Sequence, residues 1–181
     1  MKKYILAVSL IFALNSAVSL YAGTVPTRPA QAEIRWMGMT EALAAAAKEK
    51  KFIVADFYTD WCSWCKKMDE TTYKDPAVIK LINDHFIPVK LDAEGRRKVV
   101  YNKKEYRESE FSAYMNVRGF PSTLFFQENG ELFASVPGFI DAATFRNYLA
   151  YIGEKWHLKY KSYQEYLKNP PVKEEKKPAR K

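Results

Sequence analysis

The feature that most constrains this 181-residue chain is its single pair of cysteines, Cys62 and Cys65. A hydrophobic run over residues 51–58 leads directly into the pair, and a lysine-rich stretch with helical character follows it. We therefore predict a strand that ends where a Cys-x-x-Cys motif opens a helix. Backbone N–H groups and the helix dipole at that position favour a thiolate on the first sulfur. The second sulfur lies one turn later on the same face, within reach for a disulfide.

Other uses of two cysteines fit this chain less well. Zinc takes four ligands, and only His85 and His157 remain to complete such a site. A c-type haem needs a histidine directly after the second cysteine, where Lys66 stands. A purely structural disulfide between residues three apart closes so small a loop that it adds little stability. The motif therefore indicates a reactive pair, and we expect neither a metal nor an organic cofactor.

The first residues resemble a secretory signal. Lys2 and Lys3 precede an apolar run over 4–14, and small residues follow between 16 and 23. We predict a signal over 1–22, a linker over 23–32 and export to an oxidising compartment, the periplasm or, as an alternative, the medium. An uncleaved anchor is the less favoured alternative, because the apolar run is shorter than the roughly 20 residues that a membrane span needs.

The net charge of +8 is concentrated at the end of the chain. Residues 168–181 hold six basic and two acidic residues and little apolar surface, so we predict a disordered, solubilising tail. Contact of this tail with anionic lipid or with a partner is the alternative. The rest of the chain is closer to neutral and carries no basic footprint, so no nucleic-acid partner is expected.

The pattern of helix and strand signals predicts one α/β domain over 33–167, in the order β-α-β-α-β-β-α after a first helix. The predicted helices are 41–48 capped by Thr40, 62–72, 76–83, a helix capped by Asp141 that runs to 151, and an extra aromatic helix over 156–167. The predicted strands are 52–58, 86–92, 122–126 and 132–136, the last two joined by a tight turn at Asn129-Gly130.

Between the second and third predicted strands lies a long charged stretch. We predict that residues 94–116 are mostly helical and form a helical insertion, whose most charged part is 94–112. Its aromatic residues are expected to face the core; they are Tyr101, Tyr106, Phe111 and Tyr114.

Several residues match thioredoxins at the right separations. The motif from Trp61 to Lys66 resembles the thioredoxin active site, including the preceding tryptophan. Asp56 stands where thioredoxins have a buried acid, and Lys90 where they have a lysine near that acid. The loop over 117–123 resembles the one that holds the cis-proline of the family, which would be Pro121, and Gly138 matches a glycine before the final helix. The chain thus resembles the thioredoxin superfamily, which implies a thioredoxin fold with a mixed central sheet flanked by helices.

A narrower likeness covers residues 51–152. This region resembles the periplasmic C-terminal thioredoxin-like domain of the thiol:disulfide interchange protein DsbD. The segments that carry it are 56–62, 74–78 and 138–145. We expect this chain to stand alone, without the electron-carrying transmembrane domain of that protein. It also departs from the pattern in its long charged stretch and in the bulky dipeptide Ser63-Trp64.

The resemblance implies a role for each matching residue. Cys62 is the exposed nucleophile, and Cys65 is the buried cysteine that resolves the mixed disulfide, with Asp56 assisting by proton transfer and Lys90 beside it. Asp56 could instead lie at a strand edge and Lys90 on the surface. A carboxyl buried in an apolar strand has a raised pKa, which suits proton transfer.

A second group of residues borders the cysteines. Pro121 is expected to shape the groove for the substrate backbone, with Trp61, Trp64 and Phe120 forming the surrounding surface. The alternatives are an ordinary trans proline and tryptophans that only pack.

These residues predict an exported thiol:disulfide oxidoreductase that reduces the disulfides of other proteins. The resemblance favours the reducing direction, with electrons from a membrane donor of the thiol-disulfide interchange type, and we expect a monomer. A disulfide oxidase or isomerase is one alternative. A binding or assembly module that keeps the fold without catalysis is the other.

Overall fold

The computed structural model describes residues 33–171, so the predicted signal, the predicted linker and residues 172–181 of the predicted tail lie outside the described residues. The helices are α1 (Met39–Glu49), α2 (Ser63–Glu70), α3 (Pro76–His85), α4 (Glu108–Tyr114), α5 (Ala142–Gly153) and α6 (Tyr163–Lys168). The strands are β1 (Phe52–Tyr58), β2 (Phe86–Asp92), β3 (Lys98–Tyr101), β4 (Lys104–Arg107), β5 (Ser122–Phe126) and β6 (Leu132–Pro137). Single 3₁₀ turns occupy Thr72–Lys74 and Trp156–Leu158.

Four strands form the central sheet in the order β2–β1–β5–β6. β1 runs parallel to β2 and antiparallel to β5, and β6 returns antiparallel to β5. The predicted architecture, a mixed sheet flanked by helices, is confirmed. β1 is a central strand with a hydrophobic core packed on each of its faces, which explains why its sequence is nearly all apolar.

Successive residues of β1 face opposite sides of the sheet and enter two separate hydrophobic cores. Phe57 packs with Leu91 and Phe111 on the side of α1. Val54 packs on the other side with Phe86 of β2, with Phe145 and other residues of α3 and α5, and with Met68 of α2. Asp56 follows Val54 by two positions, so its carboxyl faces the core that contains α2.

Aspartate caps begin two of the helices, and one of them, Asp141, is the cap that the sequence predicts. Asp75 accepts backbone N–H bonds from the first turn of α3, and Asp141 does the same for α5. The prediction that Thr40 caps α1 is wrong, because α1 begins two residues earlier than predicted, with Gly38 as its N-cap. The hydroxyl of Thr40 instead accepts a hydrogen bond from the Val100 N–H at 2.9 Å, which ties α1 to β3.

The helical insertion is a wrong prediction for most of its length. Residues 98–107 form a β-hairpin, β3 with β4, that is separate from the central sheet, and only Glu108–Tyr114 is helical. The turn residues Asn102 and Lys103 both have positive φ, 50° and 64°, the conformation of a two-residue hairpin turn. Buried Val99 and Tyr101 alternate with more exposed residues, a period-two pattern that the many charges obscure.

The aromatic residues of this region divide between the core and the surface. Phe111 and Tyr101 are buried as predicted, and Tyr106 is half-buried. Tyr114 is 55% exposed, so its predicted core position is wrong. It is the last residue of α4, and its ring contacts the rings of Tyr101, Tyr106 and Phe111 from the solvent side.

The C-terminal segment also differs from its prediction. The sequence predicts one helix over 156–167, whereas the structure has the 3₁₀ turn at Trp156–Leu158 and then α6. Ser162 begins α6 by accepting the N–H of Glu165, which interrupts any continuous helix at that point. Among the residues that the structure describes, no helix has the length and apolar character needed to cross a membrane.

Candidate active site around Cys62 and Cys65

Cys62 and Cys65 form a disulfide at the start of α2, with their Cα atoms 5.3 Å apart. Cys62 is the N-cap of the helix, and its sulfur accepts the backbone N–H of Cys65 at 3.1 Å. The sulfur of Cys62 therefore occupies the position that an N-cap oxygen normally takes. A thiolate formed there gains a hydrogen bond and the favourable end of the helix dipole.

The expectation that Cys62 would be exposed is wrong for this oxidised state. Cys62 is 4% exposed and Cys65 is 2% exposed, so exposure does not distinguish the two sulfurs. The sulfur of Cys62 is covered because it is bonded to Cys65 and lies against the first turn of the helix. The difference between the two cysteines lies in the N-cap position, which only Cys62 occupies.

Asp56 lies in the middle of β1 with a side chain that is 1% exposed. Its strand neighbours are Lys90 on β2 and Thr123 on β5. Burial raises the pKa of the Asp56 carboxyl above its ordinary value of 3.8, and the charge and hydrogen bond of Lys90 offset only part of this rise. The structure thus provides a buried carboxyl that keeps its proton to higher pH than an exposed aspartate does.

Lys90 joins two carboxylates. Its ammonium nitrogen lies 2.6 Å from Oδ2 of Asp56 and also donates to Oδ1 of Asp69 on α2. Burial alone lowers the pKa of the Lys90 ammonium, but the charge of Asp56 and the hydrogen bonds to both carboxylates outweigh it, so that the pKa is raised above 10.5. Lys90 is therefore a fixed cation beside Asp56, and the predicted proximity of these two residues is observed.

Aromatic side chains form the surface on both sides of the disulfide. Trp61 and Trp64 are 66% and 59% exposed, which is unusual for such large apolar residues. The ring of Trp61 lies edge-on to that of Phe120, with centroids 5.9 Å apart, and Trp64 lies 5.2 Å from Phe139. These two pairs, Trp61 with Phe120 and Trp64 with Phe139, form an exposed apolar surface around the cysteines, which we call the apolar rim.

The loop that carries Pro121 lies next to this surface. The peptide bond between Phe120 and Pro121 is cis, and Pro121 itself is buried. The carbonyl oxygen of Pro121 accepts the N–H of Gly138 at 2.8 Å. Gly138 has a φ of 89°, which favours glycine, and it thereby lets the chain pass close to Pro121 before it reaches Phe139.

The structure adds three residues to the site that the sequence analysis does not predict. Glu94 accepts the indole N–H of Trp61 at 3.0 Å and so orients that ring. Asp69 contacts Lys90, and Phe139 contacts Trp64. A sequence signal existed for Asp69, because it stands four residues after Cys65 and therefore shares its helix face.

Within residues 33–171, no cluster of three or more histidine, cysteine, aspartate or glutamate side chains could hold a metal ion. The reactive groups that the structure brings together here are the two sulfurs, the carboxyls of Asp56 and Asp69 and the ammonium group of Lys90. A disulfide at a helix start, a buried carboxyl that can hold a proton and an exposed apolar rim together suit thiol–disulfide exchange with another polypeptide.

Comparison with known proteins agrees with this chemistry. A family model described as a thioredoxin-like domain matches residues 39–153. The thiol:disulfide interchange protein DsbD of Photorhabdus laumondii is 26% identical over 156 residues, covering 82% of this chain and 25% of that protein. DsbD of Salmonella typhi is 33% identical over 114 residues, covering 61% of this chain and 18% of that protein. The chain thus spans a quarter or less of the length of these relatives.

Solved structures agree with the fold. One described as DsbH oxidoreductase superposes with a TM-score of 0.56 at 25% identity, covering 71% of this chain and 90% of that one. The residues that the family model matches, 39–153, include the sheet, the helix that follows Cys62 and the loop before β5, which are the parts that assemble the site.

Proposed function

Because the chain belongs to the family of thioredoxin-like domains, we propose that it is an exported thiol:disulfide oxidoreductase that reduces disulfides of other proteins through Cys62 and Cys65. The observation that carries the proposal is the disulfide at the start of α2, with the sulfur of Cys62 accepting the N–H of Cys65. The DsbD relatives, whose name denotes thiol:disulfide interchange, support it.

The reaction moves two electrons from the dithiol to the substrate. The thiolate of Cys62 attacks one sulfur of the substrate disulfide, which forms a mixed disulfide and releases the first substrate thiolate. Cys65 then loses its proton and attacks the sulfur of Cys62, which releases the second substrate thiolate. The product is the Cys62–Cys65 disulfide, and a membrane donor of the thiol-disulfide interchange type returns it to the dithiol.

Asp56 accepts the proton of Cys65 in the second step. The support is its burial on the α2 side of β1 and its raised pKa, which bring a carboxyl closer to the pKa range where general bases work best. Lys90 fixes the position of this carboxyl through their contact at 2.6 Å.

The apolar rim binds the substrate polypeptide. Trp61 and Trp64 flank the cysteines, and Phe120 and Pro121 border them from the neighbouring loop. An unfolded or extended segment with apolar residues beside its cysteine suits this surface, because it buries those residues against the rings.

We further propose that residues 1–22 are a signal removed on export to the periplasm, so that the mature monomer begins near Gly23. The charged start and the short apolar run support this. N-terminal sequencing of the exported protein that returned Met1 would contradict it.

The charges near the site support the proposed reducing direction. Asp60 stands two residues before Cys62 and Asp56 is buried nearby, and both disfavour an unusually stable thiolate. We expect a potential nearer to the roughly −270 mV of thioredoxin than to the roughly −120 mV of a strong oxidant. Equilibration with glutathione buffers measures it. A protein that stays mostly dithiol near about −180 mV, the potential of protein disulfide isomerase, is an oxidase or isomerase instead.

The decisive experiment traps the intermediate. Cys65→Ser should accumulate a mixed disulfide between Cys62 and a substrate protein, which mass spectrometry identifies, whereas the matched Cys62→Ser variant should accumulate none. Insulin reduction in the presence of dithiothreitol should require both cysteines. A wild-type protein without such turnover, or variants that retain it, would favour a non-catalytic binding module and overturn the proposal.

A further inference from the structure

The ammonium group of Lys90 is enclosed by three aromatic rings. Its nitrogen lies 5.1 Å from the ring centroids of Tyr58 and Tyr73 and 5.4 Å from that of Trp36. Each distance is within the range of a cation–π attraction. We call these three residues, Trp36, Tyr58 and Tyr73, the aromatic cage.

Trp36 enters this cage from outside the central sheet. The segment before α1 runs parallel to β2, where the N–H of Met37 donates to the carbonyl of Pro88 at 3.1 Å and the N–H of Lys90 donates to the carbonyl of Met37 at 3.3 Å. This pairing holds Trp36 beside Lys90. The ring of Trp36 also lies edge-on to that of Tyr73, with centroids 4.9 Å apart, so the cage is packed within itself.

Lys90 spans the distance between a buried and an accessible carboxylate. The side chain of Asp56 is 1% exposed, whereas that of Asp69 is 46% exposed. A proton held by Asp56 therefore has no direct contact with water. The contacts from Asp56 to Lys90 and from Lys90 to Asp69 connect this carboxyl to the protein surface. A cleft of about 390 Å³ lined by Trp36, Tyr73, Lys90 and Asp69 opens at this point.

Resting on the proposed function, we propose that Trp36 is a positioning residue: it closes the aromatic cage and holds Lys90 between Asp56 and Asp69, so that the proton taken from Cys65 leaves the protein through Asp69. The proton balance is complete at each transfer. Asp56 receives the proton of Cys65 and passes one to the nitrogen of Lys90 as Lys90 gives one to Asp69. Lys90 stays an ammonium throughout, and Asp69 releases its proton to water.

The cage explains why this transfer needs a positioning residue. A lysine side chain has four rotatable bonds and loses much conformational freedom when it is fixed. Three rings that attract the ammonium restrict those rotations before the reaction begins. Without Trp36, the nitrogen of Lys90 has space to turn into the neighbouring clefts, because Trp36 forms part of the wall on both sides. The contact with both carboxylates at once is then lost.

The test measures the lifetime of the mixed disulfide in single turnover with a disulfide-containing peptide. Acid quenching, alkylation and mass spectrometry follow its formation and its decay, and the decay reports the attack by Cys65. We expect Trp36→Leu to slow the decay by at least about 10-fold, a part of the 10²–10⁴-fold that positioned acid–base groups supply. The formation step, which belongs to Cys62, should keep its rate. Trp36→Phe should retain most of the decay rate because it keeps a ring in the cage.

Rescue by an added base distinguishes a lost proton route from a general disturbance. Imidazole at increasing concentration should restore the decay rate of Trp36→Leu by accepting the proton from the cleft, and it should leave the wild type unaffected. The matched control is Trp156→Leu, because Trp156 also packs against a lysine but lies outside the site. Asp69→Asn, with its exposed neighbour Glu70→Gln as control, tests the same route without altering the cage.

The outcomes separate this inference from the function on which it rests. A wild-type protein that forms no mixed disulfide overturns the proposed function. A wild type that turns over, with Trp36→Leu and Asp69→Asn decaying at the wild-type rate, overturns the inference alone. Equal slowing in Trp36→Leu and Trp156→Leu, or slowing that imidazole does not relieve, also overturns it. If Trp36→Leu does not fold, the Asp69→Asn and Glu70→Gln pair decides.

Discussion

Replacing Asp56 with asparagine should make the oxidised protein more stable at pH 7 and reduce the dependence of its stability on pH. The carboxyl is 1% exposed, and its pKa is raised above 3.8 chiefly by burial. A carboxyl with a raised pKa binds its proton more tightly in the folded than in the unfolded state. Its contribution to stability is therefore complete below about pH 3.8 and is lost as the pH rises through the folded-state pKa.

The surroundings of Asp56 set the size of the effect. Removing one member of a buried ion pair usually costs about 3–5 kcal/mol, because the other charge is left without a partner. Here Lys90 keeps Asp69 and the aromatic cage, so that cost is small. What remains is relief from holding a charge in the core. We expect a gain of about 1–3 kcal/mol at pH 7, within the roughly 1–4 kcal/mol gained when whole buried ion pairs are replaced by well-packed hydrophobic residues.

Urea unfolding of the oxidised protein between about pH 4 and pH 8 measures this difference. With a slope of about 2 kcal/mol per molar urea, the midpoint of Asp56→Asn should rise by about 0.5–1.5 M at pH 7. The gain should shrink towards low pH, where Asp56 of the wild type is protonated. Asp60→Asn is the control, because Asp60 is exposed. A variant less stable than the wild type at pH 7, or a difference that is constant with pH, would refute the argument that burial dominates.

Three further predictions, two of them with a matched control variant, test the fold and the apolar rim. Asp75→Ala should lower the free energy of unfolding by about 1 kcal/mol, measured by urea, because two backbone N–H groups at the start of α3 lose their acceptor. Phe111→Ala should cost about 3–5 kcal/mol by leaving a cavity, whereas Tyr114→Ala, at the exposed end of the same helix, should cost about 1 kcal/mol or less in the same assay. Trp64→Ala should raise KM for an apolar peptide disulfide several-fold while leaving kcat within about twofold, because it removes substrate contact without touching the sulfurs. Leu158→Ala, equally apolar and 75% exposed but remote from the cysteines, should change neither constant.

Much of the fold could be predicted because its signals are local. The predicted cap of α5, Asp141, acts on backbone groups two and three residues away. The Cys-x-x-Cys spacing itself places both sulfurs on one turn of helix. The hairpin over 98–107 was missed because its charged residues hide a period-two pattern and because its turn, Asn102-Lys103, lacks the usual glycine.

The features of the site likewise divide into those that local sequence signals predict and those that they do not. The sequence alone determined the reactive pair, its position at a helix start and the presence of an acid in an apolar strand. The sequence also predicted that Lys90 lies near Asp56, but this prediction came from the resemblance to thioredoxins and not from a local pattern.

Only the tertiary structure decided how the acid is connected to water. Asp56 and Lys90 meet because β1 and β2 pair in one particular register, and Asp69 joins them from α2. Trp36 reaches the same point from a segment 54 residues before Lys90, held there by main-chain pairing with β2. No local sequence pattern predicts these contacts, because they depend on how elements distant in sequence pack together. Each side chain by itself has many other conformations available.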